Sequence, residues 1–339
     1  MRRSNQTIER DLPATTFSTQ NLRGLLLPFT TPFDEDGAID ARALRSNIAQ
    51  WNETGVAGYV VLGSTGERAH LDEHEYLQTI EVAREAVRSN LAFIVGAGQQ
   101  STRGTINEIK KAANAGADAV LVITPHYYRP SITQDVLMTH YTAVADAAPV
   151  PVILYSMPAL TSVKIEPDTV ARLSDHPNII GVKDSSADIE GLEATVKFLR
   201  GRSARKDFAV LTGNGTVLSE ALEAGATGAI LAVGCVAPEL CLEILRAVRA
   251  GEHEHAALLQ ETLTPLARAV TTTYGIGGLK VALDMIGFSG GTVRAPLRSP
   301  DEAARNEITQ LLAAAKASLE NSVEITGASA ALSAESTSK

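Results

Sequence analysis

The sequence predicts an α/β protein built as a (β/α)8 TIM barrel with a C-terminal helical extension. Short apolar runs rich in β-branched residues recur along the chain; the first begins near Gly24 and the eighth near Gly228, about 29 residues from one run to the next. A helix-like stretch follows each run. Strands that are apolar on both faces and alternate with helices form parallel sheets with right-handed crossovers, and eight such units match a closed barrel. After residue 235 the pattern is helical only, which predicts the extension.

The predicted strands are short and bounded by turn residues. The second run, YVVLG near Gly58, precedes the helical pattern LDEHEYLQTIEVAREAV, and the third, FIVGAG after Ala92, precedes TRGTINEIKKAANAG. A doubly wound open sheet would alternate in the same way, but it usually has fewer strands and a glycine-rich phosphate turn after the first. Here the first run ends in Pro-Phe-Thr-Thr-Pro, which favours the barrel. The later runs begin near Ala119, Val150, Ile179, Ala209 and Gly228.

Four regions are predicted along the chain. The barrel occupies residues 21–235, and the extension occupies 236–320, with helical patterns over 237–249, 252–270, 276–287 and 300–319. Residues 1–20 are polar and show no periodicity, and residues 321–339 are rich in Ser, Ala and Thr. Because neither end has enough apolar surface to offset the entropy of ordering, both are predicted to be disordered.

Composition excludes several classes of protein. The apolar fraction is 45% and the charged fraction 20%, which provides ample material for a core. The longest nearly apolar run, 228–237, is far shorter than the roughly 20 residues of a membrane span, and no signal peptide is visible. A net charge of −9 argues against nucleic-acid and anionic-membrane partners. With only two cysteines, the pattern predicts a cytoplasmic protein that acts on a small molecule.

Lys183 is the strongest candidate for chemistry. In a TIM barrel the active site lies at the C-terminal ends of the strands, and Lys183 ends the apolar run that begins at Ile179. Desolvation among apolar neighbours favours a neutral amine, which can attack a carbonyl carbon and form a Schiff base. The alternative is a salt bridge with Asp184. Lys164 and Lys280 also have apolar neighbours, but neither ends a predicted strand.

Other polar residues follow predicted strands. Tyr155 ends the strand before that of Lys183 and is expected beside it, where a phenol could relay protons, although tyrosine is also common in strands. Gly63-Ser64-Thr65-Gly66-Glu67 forms a tight turn whose N–H groups could bind a carboxylate or simply turn the chain. Tyr127 and Tyr128 follow a predicted strand and fit either the site or an oligomer contact.

No metal or cofactor is expected from the motifs. Glu252-His253-Glu254-His255 contains ligand-type residues, but alternate residues on a helix do not share a face. The sequence contains neither H-E-x-x-H nor the phosphate-binding G-x-x-x-x-G-K-[ST] pattern. Cys235 and Cys241 are expected to pack as small apolar residues.

Together these motifs resemble the dihydrodipicolinate synthase/N-acetylneuraminate lyase family. The resemblance rests on GSTGE at 63–67, Tyr127 in TPHYYRP, Tyr155 in LYSMP and Lys183 in GVKDS, in matching order over about residues 22–315. It implies a homotetrameric class I aldolase that needs no metal. It also implies that Lys183 forms a Schiff base with pyruvate, or with a 2-oxo acid that yields pyruvate.

The resemblance also assigns roles to individual residues. Tyr155 matches the phenol that shuttles protons beside the Schiff base. Ser64 and Thr65 match the hydroxyl pair that binds the pyruvate carboxylate, and Ser64 also connects to the proton relay. Tyr127 matches a tyrosine that crosses the tight dimer interface and completes that relay. The backbone positions that line the pyruvate site are matched by Gly213 and Ile230.

Leu160 departs from the pattern of one branch of the family. Members that condense pyruvate with aspartate semialdehyde usually carry an arginine where Leu160 stands, and leucine cannot bind a carboxylate. The segments LYSMPALT, HPNIIGVKDS, YGIGGLK and GGTVRAPL look closer to the 4-hydroxy-2-oxoglutarate aldolase branch, with Ser185 a contact for the non-pyruvate end. The alternatives are 4-hydroxy-tetrahydrodipicolinate synthase, a 2-keto-3-deoxy sugar acid aldolase, a non-catalytic 2-oxo acid sensor and a phosphate-binding barrel isomerase.

Overall fold

Eight parallel strands close into a barrel in sequence order, so the predicted TIM barrel is confirmed. The computed structural model describes residues 17–201 and 207–336. Every strand hydrogen-bonds to the next one along the chain, and the last pairs with the first. The strands are β1 (Gly24–Leu27), β2 (Gly58–Val61), β3 (Ala92–Ala97), β4 (Ala119–Ile123), β5 (Val152–Ser156), β6 (Ile179–Asp184), β7 (Ala209–Thr212) and β8 (Gly228–Ile230).

Helices follow the strands and cover the barrel. Several begin at side chains suited to N-caps: Asp40, Ser101 and Thr133 each accept a backbone N–H in the first turn, and Asp72 forms a capping box with Glu75. The barrel helices are α1 (Ala41–Trp51), α2 (Glu73–Ala86), α3 (Thr102–Asn114), α4 (Gln134–Ala147), α5 (Pro158–Thr161), α6 (Pro167–Leu173), α7 (Ile189–Gly201), α8 (Leu218–Glu223) and α9 (Pro238–Ala250).

The core has two layers separated by the sheet. The outer layer lies between strands and helices; in it Trp51 is fully buried, stacks between Phe29 and Phe288, and donates from Nε1 to the carbonyl of Cys235 at 3.0 Å. Losing a buried side chain of this size costs about 3–5 kcal/mol. The interior cluster fills the barrel and consists of Leu22, Leu26, Val60, Ala92, Ile94, Ala119, Leu121, Ile153, Tyr155, Ile180, Ala209, Leu211 and Ile230.

A helical extension packs against the barrel from outside. The first helix that the sequence analysis assigned to it, over 237–249, is α9, which packs on α8 and β1 and completes the barrel instead. The extension contains α10 (His253–Arg268), a π-helical turn (Ala269–Thr273), α11 (Gly275–Met285) and α12 (Glu302–Ser336). Helix α10 packs on α9 and on the loop after β7, while α12 packs on α10 and α11. In the described parts of the chain, no helix combines the length and the apolar composition that crossing a bilayer requires.

Both ends of the ordered structure differ from the sequence prediction. A capped 3-10 turn, Thr19–Leu22, begins before residue 21 because Ser18 and Asn21 form a capping box. Helix α12 extends beyond residue 320 and ends at Ser336. Disorder of residues 1–16 and 337–339 remains a prediction, because these residues lie outside the described ranges.

Candidate active site

A β-bulge turns Lys183 into the barrel. Between two successive residues of β5, the paired residue of β6 shifts from Ile179 to Gly181, which leaves Ile180 as an extra residue. Ile179 lies in the outer layer, so strict alternation from it would point Lys183 outward. The extra residue reverses the phase, and Lys183 stands in register with Leu211 of the interior cluster. The bulge therefore places the amine inside the barrel mouth.

Tyr155 lies beside this amine, as the sequence predicts. Tyr155 and Lys183 are register partners on β5 and β6, and both are buried. The Lys183 Nζ atom lies 4.4 Å from the centroid of the Tyr155 ring. This distance places the Tyr155 ring beside the nitrogen that would attack a carbonyl carbon.

Gly213 keeps space open around Lys183. A Cβ atom at this position would lie 2.6 Å from Lys183 Cε and 1.9 Å from Ser185 Oγ, and both distances are too short for real contacts. Position 213 therefore admits only glycine without displacing one of these side chains. Asp184 accepts the Gly213 N–H through its backbone carbonyl at 2.6 Å, which fixes the loop after β7 against the end of β6.

Buried hydroxyls without partners lie at the ends of three strands. Among the described residues, the side-chain oxygens of Thr30, Thr124 and Ser185 are buried and make no hydrogen bond. They follow β1 and β4 and the end of β6, the edge of the barrel where active sites form. A buried hydroxyl without a partner is unfavourable, so these groups are suited to a polar ligand. Ile230, at the end of β8, is fully buried in the interior cluster.

The hydroxyl turn after β2 has an unusual backbone. Ser64–Gly66 form one 3-10 turn, and the residues on either side of the Gly63–Gly66 segment, Leu62 and Glu67, have left-handed φ angles of 58° and 55°. Such φ values are costly outside glycine and cluster at functional sites. Thr31 Oγ1 donates to the Gly66 carbonyl at 2.7 Å and anchors the turn to the loop after β1. Ser64 and Thr65 are half-buried.

The loop after β4 carries the two tyrosines at the surface. Tyr127 is 74% exposed, and its ring packs edge-on against Tyr128 at 5.0 Å, so neither ring packs into the interior cluster with Tyr155. Gln100, which the sequence analysis did not single out, holds this loop: its Oε1 accepts the N–H groups of His126 and Tyr127 at 2.9 and 2.8 Å. Nothing in the local sequence pattern marks that glutamine.

A cavity of about 1150 Å³ opens at this end of the barrel, although Lys183, Thr65, Ser185 and Gly213 are not among the residues that line it. Ser64 and Tyr155 line it, and so does Leu160, which lies on the one-turn helix α5 with 64% of its surface exposed. The extension contributes Ile276 and Leu297 to the wall, which the sequence reasoning did not anticipate. Within the described ranges, no three His, Cys, Asp or Glu side chains are grouped to bind a metal.

Comparison with known proteins gives one consistent result. The model of the dihydrodipicolinate synthetase family matches residues 21–315. The 4-hydroxy-tetrahydrodipicolinate synthase of Acidiphilium cryptum is 37% identical over 286 residues, which covers 84% of this chain and 95% of the relative.

Comparison with solved structures gives the same family. A monomeric dihydrodipicolinate synthase variant superposes with a TM-score of 0.82 at 31% identity, covering 87% of this chain and 97% of the other. A prophage protein of the dihydrodipicolinic acid synthase family from E. coli K12, solved in complex with pyruvate, gives 0.80 at 31% identity and covers 87% and 98%. The chain belongs to the dihydrodipicolinate synthetase family and is a class I, pyruvate-dependent carbon–carbon lyase.

Proposed function

We propose that this enzyme cleaves 4-hydroxy-2-oxoglutarate to pyruvate and glyoxylate through a Schiff base on Lys183. The observation that carries the proposal is the position of Lys183, buried inside the barrel mouth with Nζ 4.4 Å from the Tyr155 ring. The pyruvate complex of the E. coli K12 relative supports the choice of pyruvate as one partner.

The proposed reaction uses the chain's own side chains. The Lys183 amine attacks C2 of the substrate, water leaves, and an iminium forms that can accept an electron pair. The Tyr155 phenol gives its proton to the hydroxyl that leaves C2 as water, and the phenolate then takes the proton of the 4-hydroxyl while the C3–C4 bond breaks, so glyoxylate leaves and an enamine remains on Lys183. The phenol returns this proton to C3, and the phenolate takes a proton from the water that hydrolyses the iminium to release pyruvate and the free amine.

The pyruvate carboxylate is assigned to the turn after β2. Ser64 lines the cavity, and Thr65 follows it in the same turn, so that two hydroxyls and their backbone N–H groups are assigned to the carboxylate. Gly213 borders Lys183, and Ile230 belongs to the interior cluster that also contains Tyr155. Tyr127, exposed in the single chain, is assigned to the interface of a homotetramer, where it would join Ser64 and Tyr155 in the relay.

The second carboxylate distinguishes the candidate substrates. In glyoxylate it is bonded directly to the reacting carbon, so it lies near Lys183, where the unpartnered Ser185 hydroxyl can donate to it. In aspartate semialdehyde it lies three carbons from the reacting carbon and must be bound farther out. Leu160 stands in that outer region of the cavity and supplies no charge. The site therefore favours the shorter aldehyde.

A second candidate function has its own support. The A. cryptum relative is named 4-hydroxy-tetrahydrodipicolinate synthase, so the comparisons favour condensation of pyruvate with aspartate semialdehyde over the cleavage proposed above, which rests on Leu160 and Ser185. Cleavage of 2-keto-3-deoxy sugar acids is compatible with the size of the cavity. A non-catalytic sensor of 2-oxo acids would form the same Schiff base without turnover.

Borohydride trapping tests the nucleophile. Pyruvate with borohydride should add a stable mass to the wild-type chain at Lys183, and Lys183→Ala should lose both the label and the activity. Lys164→Ala is the matched control, because Lys164 forms an ion pair with Asp188 at 2.7 Å and should leave labelling intact. A label that persists in Lys183→Ala would place the Schiff base on another residue.

A substrate panel tests the choice of aldehyde. Pyruvate release is measured from 4-hydroxy-2-oxoglutarate and from 2-keto-3-deoxy sugar acids, and condensation with aspartate semialdehyde is measured on the same preparation. The largest kcat/KM is expected for 4-hydroxy-2-oxoglutarate. A faster semialdehyde reaction would establish the synthase, and labelling without any turnover would establish a sensor.

A further inference from the structure

Glu67 carries a buried carboxylate directly after the hydroxyl turn. Its side chain is fully buried, and its backbone is in the left-handed region at a φ of 55°. A buried carboxylate needs a compensating charge or hydrogen bonds. The Oε2 atom accepts the backbone N–H of Arg294 at 3.1 Å and lies 3.1 Å from His70 Nδ1.

The compensating charge comes from Lys280 in the helical extension. Its Nζ lies 2.6 Å from Glu67 Oε1, and the exposed fractions of the two side chains are 1% and 0%. The same ammonium donates to the Thr292 carbonyl at 2.5 Å and lies 4.4 Å from the centroid of the Phe33 ring. Burial lowers the pKa of Lys280 from its ordinary value, and the Glu67 carboxylate opposes that shift.

The guanidinium of Arg294 makes further hydrogen bonds in the same region. The Arg294 guanidinium donates to Glu75 Oε2 at 2.7 Å and to the His70 carbonyl at 2.9 Å. It also donates to the Gly37 carbonyl in the loop after β1. The loop that follows α11 is thereby joined to the segment between β2 and α2. The turn that carries Ser64 and Thr65 is held at its far end by contacts from the extension.

We propose that Lys280 is a positioning residue, which acts through Glu67 to hold the Gly63–Gly66 turn in the conformation that binds the substrate carboxylate. A left-handed backbone conformation at a non-glycine residue persists only where neighbouring groups stabilise it. In Glu67 those stabilising contacts are made by the side-chain carboxylate. If the ion pair with Lys280 is lost, we expect the backbone of Glu67 to leave the left-handed region, and Ser64 and Thr65 to move with it. The proposal rests on the proposed function, because that function assigns the carboxylate to these two residues.

Lys280→Met tests the proposal, because methionine keeps most of the side-chain volume and removes the charge. The readout is the pyruvate concentration that gives half-maximal borohydride labelling of Lys183. A displacement of about 1 Å in a binding group can cost about 100-fold, so a rise of about 10–100-fold is expected, with the maximal labelling retained. Adding Glu67→Gln to Lys280→Met removes the unpaired carboxylate and should recover part of the loss.

The controls separate positioning from general stability. Arg45→Met breaks an exposed pair with Glu85 and should leave half-saturation unchanged. A purely structural role for Lys280 would lower the melting temperature and the labelled fraction without moving half-saturation, and that result would overturn the proposal. If Lys280→Met does not fold, Glu67→Gln alone must raise half-saturation, since it removes the same ion pair while keeping the side-chain shape. Absence of labelling in the wild type would instead refute the proposed function.

Discussion

Gly213→Ala should impair catalysis through a displacement that can be worked out from the structure. The new Cβ would lie 2.6 Å from Lys183 Cε, whereas ordinary contact begins at 3.4 Å, so one of the two atoms must move by about 0.8 Å. The loop is held by the 2.6 Å hydrogen bond from Gly213 N to the Asp184 carbonyl, so most of the movement falls on the flexible lysine. Ser185 must also rotate, because its Oγ would lie 1.9 Å from the Cβ.

The expected loss in kcat/KM is about 100-fold, since a misplacement of about 1 Å at a reacting group has an effect of this order. That factor corresponds to about 2.7 kcal/mol of transition-state stabilisation. The assay is pyruvate release from 4-hydroxy-2-oxoglutarate, together with the rate of borohydride labelling at Lys183. Slower labelling would show that the amine itself has moved.

A matched control is Gly201→Ala, at the end of α7, where no described atom lies within 4 Å of an added Cβ. That variant should keep the wild-type rate. Gly213→Ala combined with Ser185→Gly removes the clash with the hydroxyl but leaves the clash with Lys183. If this double variant recovers the wild-type rate of borohydride labelling with pyruvate, a reaction that does not use the Ser185 contact, the lysine contact does not matter. A Gly213→Ala enzyme within threefold of the wild type would refute the whole argument.

Three further predictions concern substrate, metal and pH. Leu160→Arg should raise the ratio of semialdehyde condensation to 4-hydroxy-2-oxoglutarate cleavage about 10-fold. This is the low end of the effect of a charge-assisted hydrogen bond, because the side chain at position 160 is exposed. Leu160→Met is the control and should leave the ratio unchanged. EDTA should not change the rate, because the Lys183 iminium does the work of a Lewis acid; loss of activity that a divalent ion restores would contradict this. Burial lowers the pKa of His140 from 6.5 to about 4, so stability should fall by about 3 kcal/mol as the pH drops from 6.5 to 4, and urea titrations of His140→Gln should lack this part of the fall.

Strand and helix periodicity predicted the barrel because each strand is buried on both faces and each helix on one. The predicted start of the second strand near Gly58 and of the third near Ala92 agree with the structure. The helical extension was likewise visible as a long stretch without strand-like runs. The chain ends differ: a local capping box starts the ordered structure before residue 21, and α12 continues beyond residue 320, and composition alone resolves neither.

The direction in which individual side chains point was harder to predict from the sequence. Alternation counted along IIGVKD from Ile179 would have pointed Lys183 out of the barrel, and the bulge at Ile180 reverses this. A bulge depends on the pairing with β5, which a single strand does not encode. The contact between Gln100 and the tyrosine loop could not be predicted for the same reason, because the two segments meet only after β3 and β4 have paired.

The two buried lysines differ in whether they form an ion pair, and this difference bears on their roles. Lys183 and Lys280 are both buried, and the Nζ atom of each lies 4.4 Å from an aromatic ring centroid. From the sequence, an ion pair was the alternative for Lys183, and Lys280 had no assigned role. In the structure Lys280 has the carboxylate partner, Glu67 at 2.6 Å, whereas among the described residues no ion pair involves Lys183. The Lys280 nitrogen is occupied by its carboxylate partner, whereas the Lys183 nitrogen has no such partner and is available to attack a carbonyl carbon. The contrast supports Lys183 as the nucleophile and Lys280 as the residue that holds the hydroxyl turn.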